Sequence, residues 1–541
     1  MTSLGQTAAV FLFAFVLWRF LRYWFASSAL SRVPGPPRNS WWTGNLKQLL
    51  SKRAYDFHEA ISAHYGGAVK YYGLFGKEHL YVSDPRALYH IVVKDQYSYE
   101  RQNASVVLNS LVFGQGVLST IGEQHKRQRK MMNPVFSMRH MKDLLPIFYP
   151  ISLQLRDVLK RKVQSGEREM NLMPWMSRTA LEYIGQAGLG YSFDALDESK
   201  SNEYSESIRM LTPTVVRLAL PRQFLPYIMS IPTRVRRKLL EWAPFSSLQR
   251  MKSMVDIMDN TSLSIFNFKK EALERGEEVV VQQVGSGKDI MSVLLRANMT
   301  ADENDRMPER ELLAQMNSFI FGGYDTVTSA TSRILHQLVL HVDVQNTLRE
   351  EITDAIRTNG QLDYDTVMSL PLLDAVCRET MRVFPPLPFT IRTTTRDIVV
   401  PLHWPIKSMD GTGEIREISL KKNTNVMIAI MSANRSKGIW GDDAGIWRPE
   451  RWLKPLPASV TEAHLPGVYA SMMTFLGGGR SCLGLKFAEM EMKVTLSVLL
   501  ESFKFTTTKE IEWNMGGIQS PVLRGSHDDI PQLPLELELV A

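Results

Sequence analysis

The stretch FLGGGRSCLG, residues 475–484, carries the most specific chemical signal in this chain. It sets Cys482 among glycines, two positions after Arg480, and the only other cysteine in the sequence is Cys377. No disulfide framework or cysteine-rich zinc cluster therefore competes for Cys482. A thiolate is a strong ligand for haem iron, and glycines let backbone N–H groups and a flat macrocycle approach it closely. The stretch predicts a cysteine-ligated haem, with Cys482 as the metal ligand and Arg480 beside a haem propionate.

Five positions of this stretch follow a spacing that is typical of one protein family. They are Phe475, Gly478, Arg480, Cys482 and Gly484. The spacing resembles the haem-binding loop of the cytochrome P450 family, the haem-thiolate monooxygenases, and the chain is most similar to microsomal, basidiomycete-type members. A glycine-rich turn around an inert buried cysteine is the simpler alternative, but it does not account for all five positions. The resemblance implies a mainly α fold with a small β-sheet region, in which these five residues bind the haem.

A second motif, FGGYDT at residues 321–326, lies within a segment of helical apolar periodicity from about residue 310 to about residue 341. Gly322 and Gly323 each cost about 1 kcal/mol relative to alanine inside a helix, so they indicate a flat group beside the backbone or a local opening of the helix. The resemblance implies that both glycines face the haem. It also implies that Asp325 and Thr326 are the catalytic pair that delivers protons to bound oxygen. A threonine that bonds back to a carbonyl one turn earlier is the structural alternative.

The third motif joins Glu379 and Arg382, three residues apart on a predicted helix, to Arg451 in PERW, residues 449–452. An exposed pair at this spacing is common and contributes little to stability. In the family that the chain resembles, the three positions form a buried triad that locks the segment leading to the cysteine loop. The resemblance therefore implies a structural role for the triad, and a buried charge network is costly to break.

The basic run GEQHKRQRK, residues 122–130, would by itself indicate a solvated helix face. The family commonly has Trp and Arg here, four positions apart, and both reach a haem propionate. This chain has His125 and Arg129 at those positions. Because histidine also donates a hydrogen bond, the resemblance implies that His125 and Arg129 bind a propionate, with Arg392 as the third propionate partner.

Length and composition favour one large catalytic domain. The motifs extend from residue 122 to residue 484 of the 541 residues without an internal repeat or a convincing linker. Strand signals cluster at residues 69–82, at residues 390–401 and near the C-terminus. The net charge of +7 is modest and forms no concentrated basic stripe, so nucleic-acid binding is not predicted.

The N-terminus predicts a membrane anchor. Its first 18 residues carry no charged side chain. With Arg19 and Arg22 reaching back to the interface, the apolar span is about 17–20 residues, the lower limit for crossing a bilayer. The positive charges follow the span, which predicts a cytosolic catalytic domain, whereas a cleaved signal peptide, the alternative, has its charges first. We predict a single-pass anchor in the endoplasmic reticulum membrane at residues 1–30, a Pro-rich hinge at 31–37 and a haem-thiolate monooxygenase domain at 38–541.

The resemblance implies an oxidoreductase that uses O2 and electrons from an NADPH-dependent diflavin reductase to hydroxylate or otherwise oxidise a lipophilic small molecule. The expected substrate is a fungal specialised metabolite such as a terpenoid. Basic residues beside the haem motifs suit an acidic electron donor; they are Lys126, Arg127, Lys130, Lys142 and Lys486. Two alternatives stay open: a reductase-independent member that rearranges peroxides or isomerises its substrate, and a catalytically silent haem-binding scaffold. The intact acid–alcohol pair favours the monooxygenase.

Four large apolar side chains would stand over the haem in the family's topology, which predicts a hydrophobic pocket and a neutral substrate. They are Phe113, Phe321, Phe389 and Ile391. The segments expected to line the pocket are residues 103–113, residues 213–231, the helix around Phe321 and residues 387–391. Arg217 and Arg222 are the charged exceptions in these segments, and we interpret both as residues of the membrane surface.

Overall fold

Helices make up most of the computed structural model, which describes residues 14, 29–200, 203–276, 287–526 and 530–540. The α-helices are α1 (Leu46–Leu49), α2 (Tyr55–Tyr65), α3 (Pro85–Tyr89), α4 (Asn103–Phe113), α5 (Gly122–Met132), α6 (Met138–Gln164), α7 (Met173–Tyr183), α8 (Glu203–Arg217), α9 (Leu225–Ile228), α10 (Thr233–Trp242), α11 (Ser246–Arg275), α12 (Ile290–Thr300), α13 (Glu309–Leu340), α14 (Val342–Asn359), α15 (Tyr364–Ser369), α16 (Pro371–Val383), α17 (Ile430–Asn434), α18 (Lys437–Trp440), α19 (Ala458–Ala463) and α20 (Leu485–Ser502). Shorter 3₁₀ and π turns include His90–Lys94, Ile184–Leu189, Pro221–Phe224, Pro449–Leu453 and Gly478–Arg480.

The strands form small sheets at the side of the helical body. They are β1 (Ala68–Tyr72), β2 (Glu78–Val82), β3 (Tyr99–Arg101), β4 (Glu169–Asn171), β5 (Thr390–Thr394), β6 (Ile398–Lys407), β7 (Glu414–Leu420), β8 (Asn425–Ile428), β9 (Phe503–Thr506), β10 (Ile511–Asn514), β11 (Ser520–Leu523) and β12 (Pro534–Leu539). The largest sheet has the order β1-β2-β8-β5-β3, with β2 and β8 parallel and the other neighbours antiparallel. Strands therefore occur where the sequence predicted them, and the mainly α fold is confirmed.

Helix α13 is the central element of the helical core. It is unbroken from Glu309 to Leu340 and packs against α7, α11, α16 and α20. From Val327 to Val339 every side chain is buried, polar ones included, because neighbouring helices cover α13 on all sides. The predicted helix is confirmed to within one residue at each end, and it continues through the glycine pair without a local opening, which leaves a flat group beside the backbone as the interpretation of the two glycines.

The order of strands in the largest sheet places two distant parts of the chain side by side. Strand β3 pairs with β5 so that Arg101 lies directly opposite Arg392. Two like charges at facing positions destabilise a strand pair. The fold therefore holds two positively charged side chains that repel each other at this edge of the sheet, close to the start of α5.

The predicted anchor lies outside the described residues, apart from its last two positions and Ala14. Among the described residues, no helix combines the length and the apolar character that a membrane crossing requires. The predicted hinge at 31–37 has no regular secondary structure and lies along β1, where the carbonyl of Pro34 accepts a hydrogen bond of 2.8 Å from Lys70 N.

Candidate active site

The cysteine loop is a tight turn whose shape requires glycine. Gly478 has a φ of +66°, and a Cβ atom there would lie 1.8 Å from the carbonyl oxygen of Val92. The backbone N–H of Cys482 donates a 2.9 Å hydrogen bond to the carbonyl of Phe475, which closes the turn. The glycines therefore allow the loop to pack against the neighbouring turn 90–94, and Phe475 holds the cysteine backbone.

The thiol of Cys482 lies deep in the protein yet borders open space. Burial raises its pKa, whereas a backbone hydrogen bond from Gly484 and the positive charge of Arg129 lower it. Gly484 precedes helix α20, so the positive end of that helix also lies near the sulfur. Burial is the largest of these effects and leaves the pKa of the free thiol above its usual value, while the other groups limit the rise and favour the thiolate, which is the form that binds a metal.

Arg129 and Arg480 bind groups of this chain as well as facing the site. Arg129 donates a 2.7 Å hydrogen bond to the carbonyl of Ser481, the residue before the cysteine. Arg480 forms an ion pair of 2.8 Å with Glu100 and donates to the carbonyl of Thr120 at 3.0 Å. Both arginines therefore help to fasten the cysteine loop to α5 and to β3, in addition to the role that the sequence predicted.

A cluster of positive charge surrounds His125, and Glu100 is the carboxylate that acts on it. Burial, and then the neighbouring arginines, lower the pKa of Arg101 to about 9 and that of Arg392 to about 10. Burial and the charges of four arginines lower the pKa of His125 to about 3, so its ring is neutral at pH 7 and has one N–H to donate. The four arginines are Arg101, Arg129, Arg392 and Arg480.

The sequence did not reveal Arg101 as a member of this cluster. Its Nη1 donates to the carbonyl of Leu118 at 3.3 Å, while its buried Nε has no hydrogen-bond partner among the described residues. Only its position opposite Arg392 in the sheet brings it to the site. The excess of arginines over carboxylates fits a ligand that carries two carboxylates, as a haem does.

A cavity of about 510 Å³ opens between α5 and the cysteine loop. It is lined by Gln96, Tyr97, Glu100, Gly122, His125, Lys126, Arg129, Lys130, Asn133, Gly478, Gly479, Arg480 and Ser481. His125, Arg129 and Arg480 therefore face a cleft that is reached from the surface.

The glycine pair of α13 has two different surroundings. A Cβ atom on Gly322 would meet nothing within 4 Å, whereas a Cβ atom on Gly323 would lie 3.2 Å from the side chain of Ile184. Gly322 therefore borders open interior space that could admit a flat group, and Gly323 allows close packing against the turn 184–189. Thr326 donates a 2.6 Å hydrogen bond to the carbonyl of Gly322, as in the structural alternative, and its side chain remains on the open side.

Asp325 is an enclosed carboxyl group that has one direct hydrogen-bond partner in the part of the chain that the structure describes. Its Oδ2 accepts a hydrogen bond from the hydroxyl of Thr212 in α8. Burial raises the pKa of Asp325 to about 7, and the hydrogen bond from Thr212 opposes this rise. A group with this pKa exchanges its proton readily near neutral pH, which suits general acid–base chemistry.

The structure brings Glu379, Arg382 and Arg451 into one buried network. Arg382 binds Glu379 through two hydrogen bonds of 2.7 and 2.8 Å, and Arg451 lies 3.4 Å from the same carboxylate. The carboxylate also accepts from the indole of Trp452 at 2.9 Å and from the backbone N–H of Arg448 at 3.1 Å. Glu379 is therefore the acceptor that joins α16 to the turn 449–453.

The aromatic and charged side chains that are expected around the substrate pocket have different surroundings. The rings of Phe113 and Phe321 lie 4.6 Å apart, where α4 meets α13, whereas Phe389 stacks on His58 at 5.3 Å. Arg217 is exposed, but the side chain of Arg222 is enclosed, and burial lowers its pKa. The turn 221–224 packs against α4, which leaves Arg222 half-buried, and the interpretation of both arginines as residues of the membrane surface stays a prediction.

Comparison with known proteins accounts for this arrangement. The family model for cytochrome P450 matches residues 34–518. The chain belongs to the cytochrome P450 family. Cytochrome P450 monooxygenase 91 of Postia placenta is 48% identical over 97% of both chains. Ganoderic acid synthetase of Ganoderma lucidum is 40% identical over 98% of this chain and 97% of its own, and a cytochrome P450 monooxygenase of Hericium erinaceus is 36% identical over 99% and 98%.

The cofactor of a cytochrome P450 is haem with an axial cysteine thiolate. The residues of this site fit that group in two respects. Cys482 is a thiol with nearby groups that favour ionisation. The arginines of the cluster outnumber the carboxylates beside them, so the two negative charges of the haem propionates would balance the excess positive charge. This cytochrome P450 is accordingly an oxidoreductase of the monooxygenase class.

Proposed function

We propose that this cytochrome P450 takes two electrons from an NADPH-dependent diflavin reductase and inserts one atom of O2 into a lipophilic substrate. The other oxygen atom, two electrons and two protons form water. The observation that carries the proposal is the enclosed acid Asp325 beside Thr326 in the central helix, because this reaction consumes protons inside the protein. A reductase-independent rearrangement requires no such supply.

The residues of the site divide into those that hold the cofactor and those that supply protons. Haem, when bound, supplies the iron that activates O2. Cys482 would ligate the iron, and the arginines with His125 would bind the propionates through charge-assisted hydrogen bonds. Gly322 would allow the flat group to approach α13. Thr326 and Asp325 would pass protons inward, since a hydroxyl both donates and accepts and the acid titrates near pH 7.

We propose a fungal specialised metabolite of terpenoid type as the substrate. Apolar side chains such as Phe113 and Phe321 suit a hydrophobic molecule. The relative from Ganoderma lucidum that is called ganoderic acid synthetase supports a specialised metabolite of this kind. Because the half-buried Arg222 lies in one of the segments expected to line the pocket, the proposal covers lipophilic substrates without requiring them to be neutral.

The basic residues near the cysteine loop suit an acidic reductase, although most of them have partners in this chain. Four ion pairs involve them: Lys126–Glu123, Arg127–Glu311, Lys130–Asp305 and Lys142–Asp365. Three of these pairs, all but Arg127–Glu311, involve substantially exposed side chains and contribute little to stability. Their lysines can therefore exchange one carboxylate for another when an acidic partner docks.

We propose that the protein is anchored in the endoplasmic reticulum membrane by residues 1–30, with residues 38–541 in the cytosol. Exposed aromatic side chains around α10 support contact of this face with the membrane; Tyr227 is 78%, Trp242 79% and Phe245 64% exposed. Digestion of sealed microsomes with trypsin distinguishes the two orientations, because protection of the large domain contradicts the cytosolic one.

The test of the function combines the full-length holoenzyme, purified diflavin reductase and NADPH with a panel of sesqui-, di- and triterpenoids. A terpenoid that shifts the ferric haem from low to high spin is expected to be oxidised, with one NADPH consumed for each oxygen atom inserted. Conversion of a panel member without NADPH would support the reductase-independent alternative instead. Spin shifts caused only by charged, hydrophilic compounds would contradict the lipophilic substrate.

Replacing Thr326 with alanine is expected to retain haem while diverting electrons from product to hydrogen peroxide. Product formation should fall by roughly two orders of magnitude, the usual size of a general acid–base contribution, because the proton relay is interrupted. NADPH consumption, peroxide and product are measured together. Thr328→Ala is the matched control, since Thr328 makes the same backward hydrogen bond from a fully enclosed position. Unchanged coupling in Thr326→Ala would exclude the relay role.

A further inference from the structure

Asp325 is connected to a different helix by Thr212, whose hydroxyl does not form the hydrogen bond that is usual for a helical threonine. Most helical threonines near this site donate to a carbonyl four residues earlier in their own helix. Thr214 does so to Met210, and Thr326 and Thr328 do so to Gly322 and Tyr324. The hydroxyl of Thr212 donates across the helix–helix contact to Asp325 instead.

Thr212 lies directly before a proline that is inside helix α8. The next residue is Pro213, which lies inside the helix and has no N–H, so the carbonyl of Arg209 loses its helical donor. Beyond the proline, the side chain of Val216 lies against the turn at Gly516 and Gly517, where added Cβ atoms would approach it to 3.2 and 3.0 Å. Thr212 therefore lies beside the point where the continuous helix α8 lacks one internal hydrogen bond, and directly before residues 213–231, which are expected to line the substrate pocket.

We propose that Thr212 is a positioning residue, which holds the carboxyl group of Asp325 through a hydrogen bond from the helix of the pocket wall. This inference rests on the proposed function, in which Asp325 takes part in proton delivery. A hydroxyl donor favours the ionised carboxylate and fixes one of its two oxygens. The other oxygen, Oδ1, is then left without a direct hydrogen-bond donor among the described residues.

Few charged groups compete with Thr212 for influence on Asp325. Burial is the larger effect on its pKa, which lies at about 7, and Thr212 opposes it. The neighbouring titratable group in α13 is Tyr324, whose own pKa responds to Asp325, to Arg209 of α8 and to Arg178 of α7. No arginine or lysine pairs directly with Asp325 among the described residues, so removal of one hydroxyl should be measurable.

The test measures the ionisation of Asp325 itself, by infrared difference spectroscopy of the full-length holoenzyme titrated with acid and base. The carboxyl band that disappears in Asp325→Asn identifies the group. Thr212→Val removes the donor at constant shape, so the midpoint of this band is expected to rise by about one pH unit. Thr212→Ser should restore the original midpoint. Thr214→Val, two residues away in the same helix, should leave it unchanged.

Electron coupling is the second measurement. With reductase and NADPH, Thr212→Val should release more hydrogen peroxide per NADPH than Thr212→Ser or Thr214→Val. An unchanged infrared midpoint in Thr212→Val, or an equal shift in Thr214→Val, would overturn the positioning role. If the wild-type protein accepts no electrons from any reductase, the proposed function fails, while the infrared midpoint still decides whether Thr212 positions Asp325.

Discussion

Cys482→Ala is expected to lose the red-shifted Soret band that a thiolate-ligated haem shows in its reduced carbon-monoxide complex. The sulfur is the only thiol that faces the site, and alanine offers no donor to the iron. The absorbance of the reduced, carbon-monoxide-treated protein is measured at equal haem content. Electron transfer from the reductase and product formation should also disappear.

Cys377→Ala is the matched control for this prediction. Cys377 is the other cysteine, it is fully buried in α16, and burial raises its pKa to about 12. It should therefore keep the band and lose only a little stability. A red-shifted band that survives in Cys482→Ala would show that another residue ligates the iron.

Glu379→Gln is expected to cause a large loss of stability. The glutamine keeps the shape but leaves Arg382 and Arg451 buried without their shared charge, at a cost of about 3–5 kcal/mol. Because a folded domain is stable by only about 5–15 kcal/mol, the variant should unfold and release haem at a much lower denaturant concentration than the wild type. Denaturant unfolding of the holoenzyme, followed through the Soret band, measures the change.

Asp354→Asn provides a control with the same chemistry in a different environment. Asp354 and Arg357 have the same three-residue spacing as Glu379 and Arg382, but their side chains are 67% and 77% exposed. An exposed pair contributes at most about 1 kcal/mol, so this substitution should be nearly neutral. Equal effects of the two substitutions would contradict a structural role for the triad.

The sequence predicted those features that depend on residues close together along the chain. The long helix α13 was readable because its apolar residues recur at helical spacing over many turns. The pairing of Glu379 with Arg382 was readable because three-residue spacing places both on one helix face. The further partners of that carboxylate, Trp452 and the N–H of Arg448, come from a segment about seventy residues away, and no spacing rule relates them to α16.

The sequence pattern did not predict contacts between strands or helices that are far apart along the chain. Arg101 joins the site only because β3 pairs with β5, and strand order is set by the whole fold. Thr212 resembles any other helical threonine until the crossing of α8 and α13 is known. The partial burial of Arg222 was not predicted for the same reason, since an arginine beside apolar residues suits a membrane surface equally well.

The arginine cluster also bears on how long this protein survives in a cell. Its guanidinium groups remain charged at neutral pH, so their mutual repulsion opposes folding until a ligand with two carboxylates neutralises it. A ligand that binds only the folded chain adds its binding free energy to stability. Chains that lack the cofactor therefore unfold more often and are exposed to proteases for more of their lifetime. The abundance of the protein should consequently follow the supply of iron porphyrin, even when synthesis of the chain is constant.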